Sequence, residues 1–214
     1  MLRGFVFALC LWMGPVWANP KILMIGDSAL AWNAEDHAGV ASVLETILDI
    51  PVALHAVSGA PFLGPDPQAI PNQVPPGDWD IIIVNGGAND MFDHCWDRAR
   101  VMVLMDRLIA PYVGRGAIKQ FAARTDAEII FTSYLWPLES PSFNECARTL
   151  ALFEARLATF ADLTDGFHFV SLRGANPDQR TDFFDTDKMH PSPQGSAAMA
   201  RVLADRLRGE GLLQ

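Results

Sequence analysis

An unbroken apolar run, Ile81–Val84, constrains the fold of this chain more than any other part of its sequence. All four residues are β-branched, and no polar residue interrupts them between Asp80 and Asn85. Strands with one exposed face alternate apolar and polar residues, whereas strands of a parallel sheet covered on both faces are continuously apolar. The run therefore predicts a buried strand of a parallel sheet.

Short β-type runs alternate with longer helix-type stretches along the rest of the chain. Further strands are predicted at 21–25, 52–57, 127–133 and 167–172, and helices at about 32–49, 94–124, 142–163 and 193–209. In the second helical stretch, Val101, Leu104, Met105 and Leu108 recur at the three- and four-residue spacing of a helix with one buried face. This alternation predicts an α/β fold of three layers, with the sheet between two layers of helices.

The composition limits the number of domains and the class of partner. The chain has 214 residues, of which 50% are hydrophobic, which suits one domain with a sizeable core. Its formal net charge of -9 has the wrong sign for binding a phosphate backbone, so we expect no nucleic-acid partner. Prolines cluster within residues 60–79 and predict a long, stiff loop after the second strand.

Residues 1–18 have the three-part layout of a secretory signal peptide. Arg3 precedes a short apolar run, and Val16-Trp17-Ala18 provides a cleavage site, which leaves residues 19–214 as the mature domain. An uncleaved membrane anchor is the alternative, although the run is short for a bilayer. We expect a secreted or periplasmic protein with no stable membrane insertion after cleavage.

The mature chain keeps two cysteines, Cys95 and Cys146. An even number of cysteines in an exported chain favours a disulfide, and neither residue belongs to a Cys-x-x-Cys or Cys/His cluster. Two independent thiols are the alternative. We predict that the two cysteines are bridged.

Polar, glycine-bearing turns follow the predicted strands. They are Gly26-Asp27-Ser28, Ser58-Gly59-Ala60, residues 86–90 and, before the last helix, residues 187–191. In open α/β sheets, reactive groups lie just beyond the carboxyl ends of the strands. We therefore expect these turns to meet at one edge of the sheet.

These turns contain each group that acyl transfer requires. Ser28 is a candidate nucleophile, His190 a candidate base, and Asp187, three residues before it, can orient the imidazole. Gly59 can present a backbone N–H, and Asn89 an amide, to a developing oxyanion. Alternatively, Ser28 is only a helix N-cap. We expect Asp27 to brace its turn and Asp90 to have a structural or capping role.

The four blocks resemble those of the SGNH, or GDSL, hydrolases. Gly26-Asp27-Ser28, Gly59, Gly87-Ala88-Asn89-Asp90 and Asp187-Lys188-Met189-His190 match the family's blocks in order along essentially the whole mature chain. The resemblance implies a flavodoxin-like five-stranded parallel sheet in the order 2-1-3-4-5. It also implies a catalytic triad of Ser28, His190 and Asp187, with an oxyanion hole of the Ser28 and Gly59 N–H groups and the Asn89 side chain.

The lining of the substrate pocket is less well marked by the sequence. Ala29-Leu30-Ala31-Trp32 replaces the Leu-Ser or Leu-Thr often found after the family's serine, so Trp32 is a candidate lining residue. Tyr134 and Trp136 follow the fourth strand and are predicted to form an apolar wall of the cleft, with local packing as the alternative. Asp182, Asp185 and Asp187 alternate as Ca2+ ligands can, but they lack the regular spacing of a calcium loop. We predict no metal and no cofactor.

We expect a serine hydrolase that cleaves an ester or thioester through an acyl-Ser28 intermediate, with esterase- or lysophospholipase-like activity. A carbohydrate O-deacetylase that acts on cell-wall or extracellular polysaccharide is the alternative among the enzymes, and it would use the same groups on a sugar ester. A catalytically silent binding module on the same scaffold is the alternative outside the enzymes. A flavin or nucleotide carrier is disfavoured, because no Gly-x-Gly-x-x-Gly or phosphate-loop pattern follows a strand.

Overall fold

The structure, a computed structural model, describes residues 20–110, 116–136 and 146–213. The predicted signal peptide, residues 1–18, lies outside this part of the chain. The strands are β1 (Ile22–Ile25), β2 (Val52–Leu54), β3 (Ile81–Val84), β4 (Glu128–Thr132) and β5 (Phe167–Val170). The helices are α1 (Ser28–Ala31), α2 (Val40–Leu48), α3 (Ala88–Met91), α4 (Arg98–Leu108), α5 (Ala117–Ala122), α6 (Ala147–Ala161) and α7 (Pro193–Gly209), with short 3-10 turns at Ile70–Asn72, Phe92–His94, Leu172–Ala175 and Thr181–Phe183.

The strands form one parallel sheet in the order β2-β1-β3-β4-β5, which confirms the predicted α/β fold. The central strands β1 and β3 are buried along their whole length, as the continuous apolar run predicts. From β1 the chain continues to β2 at one edge of the sheet. From β3 it continues to β4 and then to β5 at the opposite edge. Right-handed crossovers in opposite directions place helices on opposite faces, so β1 and β3 flank the switch point where ligands bind in such sheets.

The second strand and the first long helix are shorter in the structure than predicted. The second strand ends at Leu54, although the chain continues beside β1, since His55 N–H donates to Met24 O at 2.8 Å and Val57 N–H to Gly26 O at 3.0 Å. The helix predicted from about residue 32 begins only at Val40. Asn33 and His37 have φ angles of 61° and 53°, which interrupt the helical backbone.

The stretch predicted as one helix from 94 to 124 contains two described helices. Asp97 caps α4 by accepting the Arg100 N–H at 3.0 Å, and α4 ends at Leu108. Gly116, with φ of 134°, precedes α5. The long α7 begins with Ser192 as N-cap and Pro193 at its first position, and it coincides with the predicted range 193–209. In the described part of the chain, no helix is long and apolar enough to span a bilayer.

Candidate active site

The turn after β1 brings Ser28 to the switch point of the sheet. Gly26 has a φ of 151°, and a Cβ at this position would lie 2.6 Å from the carbonyl oxygen of Asn85, so the close approach to the turn after β3 requires glycine. The Asp27 carboxylate accepts the Ala29 N–H at 3.0 Å and caps the short helix α1. Ser28 is the first residue of that helix.

Ser28, His190 and Asp187 are in hydrogen-bond contact, although 162 residues separate the first two. The His190 Nε2 atom lies 2.8 Å from Ser28 Oγ, and its Nδ1 atom lies 2.5 Å from Asp187 Oδ2. The other Asp187 oxygen accepts the Met189 and His190 N–H groups at 2.9 and 3.0 Å. A proton can therefore pass from the hydroxyl to an imidazole whose opposite nitrogen is held by a carboxylate.

Hydrogen bonding also determines the charge state of Asp187. Partial burial raises the pKa of this carboxyl, but the bonds from the His190 ring and from the His190 and Met189 N–H groups outweigh it, and the net pKa lies below the ordinary value. Asp187 is therefore ionised at neutral pH. An ionised carboxylate keeps the proton of neutral His190 on Nδ1 and leaves Nε2 free to accept the serine proton.

The loop that carries His190 is itself closed by backbone hydrogen bonds. Asp185 N–H donates to His190 O at 2.8 Å, and Phe184 and Pro191 form an antiparallel bridge. Ser192 N–H donates to Phe183 O at 2.9 Å directly before α7 begins. These bonds fix the imidazole relative to α7.

The residues that carry the three predicted oxyanion donors, Ser28, Gly59 and Asn89, line the same cavity. Gly59 has a φ of 78°, which favours glycine. The hydrogen bonds among the described residues include none donated by the Ser28 or Gly59 N–H, so both can serve a ligand. The Asn89 amide nitrogen lies 3.2 Å from Ala60 O and 3.4 Å from Asp27 Oδ2, and the second of these contacts is long.

A buried network beneath the serine was not predicted from the sequence. Tyr134 donates its hydroxyl proton to Asp27 Oδ2 at 2.6 Å and accepts the Ala88 N–H at 3.1 Å. Burial raises the pKa of Asp27 despite the bonds from Tyr134 and Ala29, and burial beside this carboxyl raises the pKa of Tyr134 well above its ordinary value. The network connects the turns after β1, β3 and β4.

The proline-rich loop at 60–79 is fixed to the site by two side chains from outside the predicted triad and oxyanion hole. Asp90 accepts the Phe62 and Leu63 N–H groups at 2.8 Å each, and burial raises its pKa despite these bonds. The Gln73 amide pairs with Gly26, accepting its N–H at 2.7 Å and donating to its carbonyl at 3.0 Å. Asp90 thus has the expected structural role, while Gln73 has no recognisable sequence signal.

An apolar cavity of about 360 Å³ opens beside Ser28. Trp32 and Tyr134 line it, as predicted, and its apolar lining residues include Leu135, Met189 and Met199. Trp136 does not line it: its indole donates to Glu154 Oε1 at 3.0 Å, and the Arg173 guanidinium lies 4.0 Å above its ring. The prediction that Trp136 forms a wall of this cavity is therefore wrong, and its ring contacts Glu154 and Arg173 instead.

Cys95 and Cys146 form the predicted disulfide, with their Cα atoms 5.0 Å apart. The bridge joins the 3-10 turn after α3 to the beginning of α6. Phe92, three residues before Cys95, lines the cavity. The covalent link therefore fixes a segment that shapes the site.

Each carboxylate of the alternating acidic segment has a partner other than a metal ion. Asp182 pairs with Arg180, Asp185 accepts the Trp32 indole N–H at 3.0 Å, and Asp187 holds His190. Among the residues that the structure describes, no group of three or more His, Cys, Asp or Glu side chains is arranged to hold a metal ion.

Comparison with known proteins identifies relatives of this architecture. The sequence model of the GDSL-like Lipase/Acylhydrolase family matches residues 24–198. A lipase from a goat rumen metagenome shares 16% identity, with 91% of this chain and 100% of that chain covered and a TM-score of 0.60. No curated protein sequence matches the chain.

Two further solved structures have the same fold. A chain assigned to the SGNH hydrolases from Slackia heliotrinireducens is 20% identical, with 88% of this chain and 98% of that chain covered and a TM-score of 0.58. A family two carbohydrate esterase from Clostridium thermocellum, in complex with cellohexaose, is 18% identical, with 91% and 65% covered and a TM-score of 0.57. At these identities the structures show a shared fold.

Proposed function

This chain belongs to the GDSL-like lipase/acylhydrolase family, and we propose that it hydrolyses carboxylic esters through an acyl intermediate on Ser28. The observation that carries the proposal is the hydrogen-bonded series from Ser28 Oγ through His190 to Asp187, with distances of 2.8 and 2.5 Å, at the mouth of an apolar cavity. Membership of the family supports ester hydrolysis in general. The residue roles are inferred from this geometry.

In the proposed reaction, Ser28 Oγ attacks the carbonyl carbon while His190 Nε2 takes the hydroxyl proton. The Ser28 and Gly59 N–H groups and the Asn89 amide stabilise the oxyanion that forms. Collapse of this intermediate breaks the bond to the leaving alcohol, which receives the proton from His190. A water molecule activated by the same imidazole then releases the acid and restores Ser28. A thioester would react by the same steps.

The cavity favours an apolar acyl group, which is consistent with esterase- or lysophospholipase-like activity. Leu135, Met189 and Met199 contribute methylene, methyl and thioether surface, and such a lining gains free energy with each buried methylene of a ligand, about 0.8 kcal/mol. Carbohydrate O-deacetylation is the second candidate, since a carbohydrate esterase has the same fold. Turnover of p-nitrophenyl esters from two to ten carbons, compared with acetylated sugars, separates the two candidates.

We also propose export of the protein, with residues 1–18 removed as a signal peptide. The bridge between Cys95 and Cys146 supports this proposal, because such bonds persist in oxidising compartments. Mass spectrometry of the protein recovered from the periplasm or the medium tests the proposal through the N-terminal residue of the mature chain.

Substitution of the reacting groups tests the enzymatic proposal. Ser28→Ala and His190→Ala should each lower kcat for a short p-nitrophenyl ester by roughly 10⁴-fold or more while the protein stays folded. A fluorophosphonate probe should label the wild-type protein on Ser28 and leave Ser28→Ala unlabelled. Absence of both turnover and labelling in the wild type would favour a silent binding module.

A further inference from the structure

The Trp32 indole lies flat against the ring of His190. The two ring centroids are 3.9 Å apart and the planes are inclined by only 7°. The indole N–H donates to Asp185 Oδ2 at 3.0 Å, so the ring is held at its edge while its face covers the imidazole. Trp32 therefore contacts the imidazole of His190 and also lines the cavity.

The position of Trp32 follows from its place in the chain. It caps the C-terminus of α1, and its backbone N–H donates to the carbonyl of Ser28 at 2.9 Å. The next residue, Asn33, has a left-handed backbone and donates its amide to Pro191 O at 2.8 Å. Two consecutive residues on the serine side therefore hold the loop that carries His190.

Several groups surround the His190 ring in this site. Ser28 and Asp187 contact its two nitrogens in the ring plane, Trp32 covers one face, and the buried Asp27 acts through space. When His190 takes the serine proton it becomes a cation, and a cation against an indole face is stabilised by the negative potential of that face. The stack therefore favours the charged intermediate over the neutral resting state.

Asp185 strengthens this effect through the indole. The hydrogen bond from the Trp32 indole N–H lowers the pKa of Asp185 most, and the bond from the Thr186 N–H lowers it further. Asp185 is therefore ionised at neutral pH. A carboxylate that accepts the indole N–H increases the electron density of the ring system. Asp185 thus acts on His190 without contacting its nitrogens.

We propose that Trp32, oriented by Asp185, is a positioning residue that holds the His190 ring in line with Ser28 and stabilises its protonated form during ester hydrolysis. This inference depends on the proposed function of the same site. It assigns Trp32 an effect on the acid–base step, whereas a residue that only lines the cavity would act on the binding of the acyl group.

The test compares Trp32→Leu, Trp32→Phe and Asp185→Asn by steady-state kinetics on p-nitrophenyl esters of increasing acyl length, from about pH 5 to pH 9. Trp32→Leu removes the aromatic face, and we expect kcat to fall by roughly 2- to 30-fold with KM changed by less than about twofold. The acid limb of kcat/KM should move to lower pH, because the protonated imidazole loses a stabilising contact. Trp32→Phe keeps a stacking ring and should recover most of kcat.

Asp185→Asn keeps an acceptor for the indole N–H but removes its charge, so it should move the acid limb in the same direction by a smaller amount. Trp96→Phe and Asp182→Asn are the matched controls. Trp96 is 75% exposed and Asp182 pairs with Arg180, and neither belongs to the proposed machinery. Both controls should leave the pH profile unchanged. Urea denaturation of each variant establishes that the protein compared is folded.

Two results would overturn the inference while the proposed function survives. One is a Trp32→Leu enzyme with wild-type kcat and a raised KM that grows with acyl length, which means that Trp32 only lines the cavity. The other is a lower kcat with an unmoved acid limb and no recovery in Trp32→Phe, which means that Trp32 has only a packing role. A wild-type protein without turnover or Ser28 labelling would overturn both proposals.

Discussion

Removal of the Tyr134 hydroxyl should destabilise the protein in a pH-dependent manner. In Tyr134→Phe, the buried Asp27 carboxylate loses its 2.6 Å hydrogen bond and the Ala88 N–H loses its acceptor. A hydrogen bond to a charged group contributes about 1.5–3 kcal/mol, and a buried group left unsatisfied costs about 1–3 kcal/mol. Because Asp27 keeps the Ala29 N–H and the Asn89 amide, we expect a loss of about 2–4 kcal/mol in the free energy of unfolding near pH 8.

The sign of the pH dependence follows from the pKa of Asp27. Burial raises this pKa, so the folded protein binds the carboxyl proton more tightly than the unfolded chain does. The contribution of Asp27 to stability therefore falls as pH rises from the ordinary aspartate pKa to the raised pKa. Above the raised pKa this contribution is constant. The Tyr134 bond lowers the pKa of Asp27, so its removal widens this interval. The loss in Tyr134→Phe should be smaller near pH 4 than near pH 8.

Urea denaturation of the oxidised protein at both pH values measures this loss, and Asp27→Asn supplies the second arm of a double-mutant cycle. An asparagine at position 27 carries no charge and has a single acceptor oxygen, so it accepts the tyrosine proton only by giving up the Ala29 N–H. In that background the tyrosine substitution should cost about 1–2 kcal/mol. Equal losses in the two backgrounds, or a loss below about 0.5 kcal/mol at both pH values, would refute the reasoning that a charged, buried Asp27 depends on Tyr134.

Two other contacts of the site give measurable predictions. Replacing both Cys95 and Cys146 by serine opens a loop with a sequence separation of 51 and should lower the free energy of unfolding by roughly 4 kcal/mol in the chain-entropy model, with reduced wild-type protein as the comparison. In Asp187→Asn, kcat should fall by roughly 10⁴-fold at neutral pH, because an amide does not hold the proton on Nδ1 as the carboxylate does, while fluorescence-monitored melting shows a folded protein. Because hydrogen bonds lower the pKa of Asp187, the stability that its charge contributes is present above the ordinary aspartate pKa and is lost as pH falls through the lowered one.

The sheet could be predicted from the sequence because its signal is local. Residues Ile81–Val84 are apolar without interruption, and a strand buried on both faces is the physical solution for such a run. The blocks at Ser28, Gly59, Asn89 and His190 were also recognisable, because each follows a strand or precedes the last helix closely in the sequence. The structure gathers these four residues around one cavity.

The errors arise where a local pattern competes with a contact from a distant part of the chain. Residues 32–39 have helix-compatible composition, yet Asn33 adopts a left-handed backbone and bonds Pro191 and Ser196, more than 150 residues away. Trp136 is an aromatic residue that follows β4, as a cleft wall would be. Its ring nevertheless contacts Glu154 and Arg173 and does not line the cavity. None of these partners can be identified from spacing along one sequence.

The residues that support the site have the same dependence on distant partners. Gln73 fixes Gly26 across a separation of 47 residues, Tyr134 fixes Asp27 across 107, and Asp185 holds Trp32 across 153. None of these three supporting side chains belongs to a recognisable block, yet each determines the position of the serine turn or of the imidazole. Catalysis depends on reacting groups placed to within fractions of an ångström. The blocks therefore predict which reaction the site supports, whereas the rate should depend on supporting residues that only the folded chain identifies.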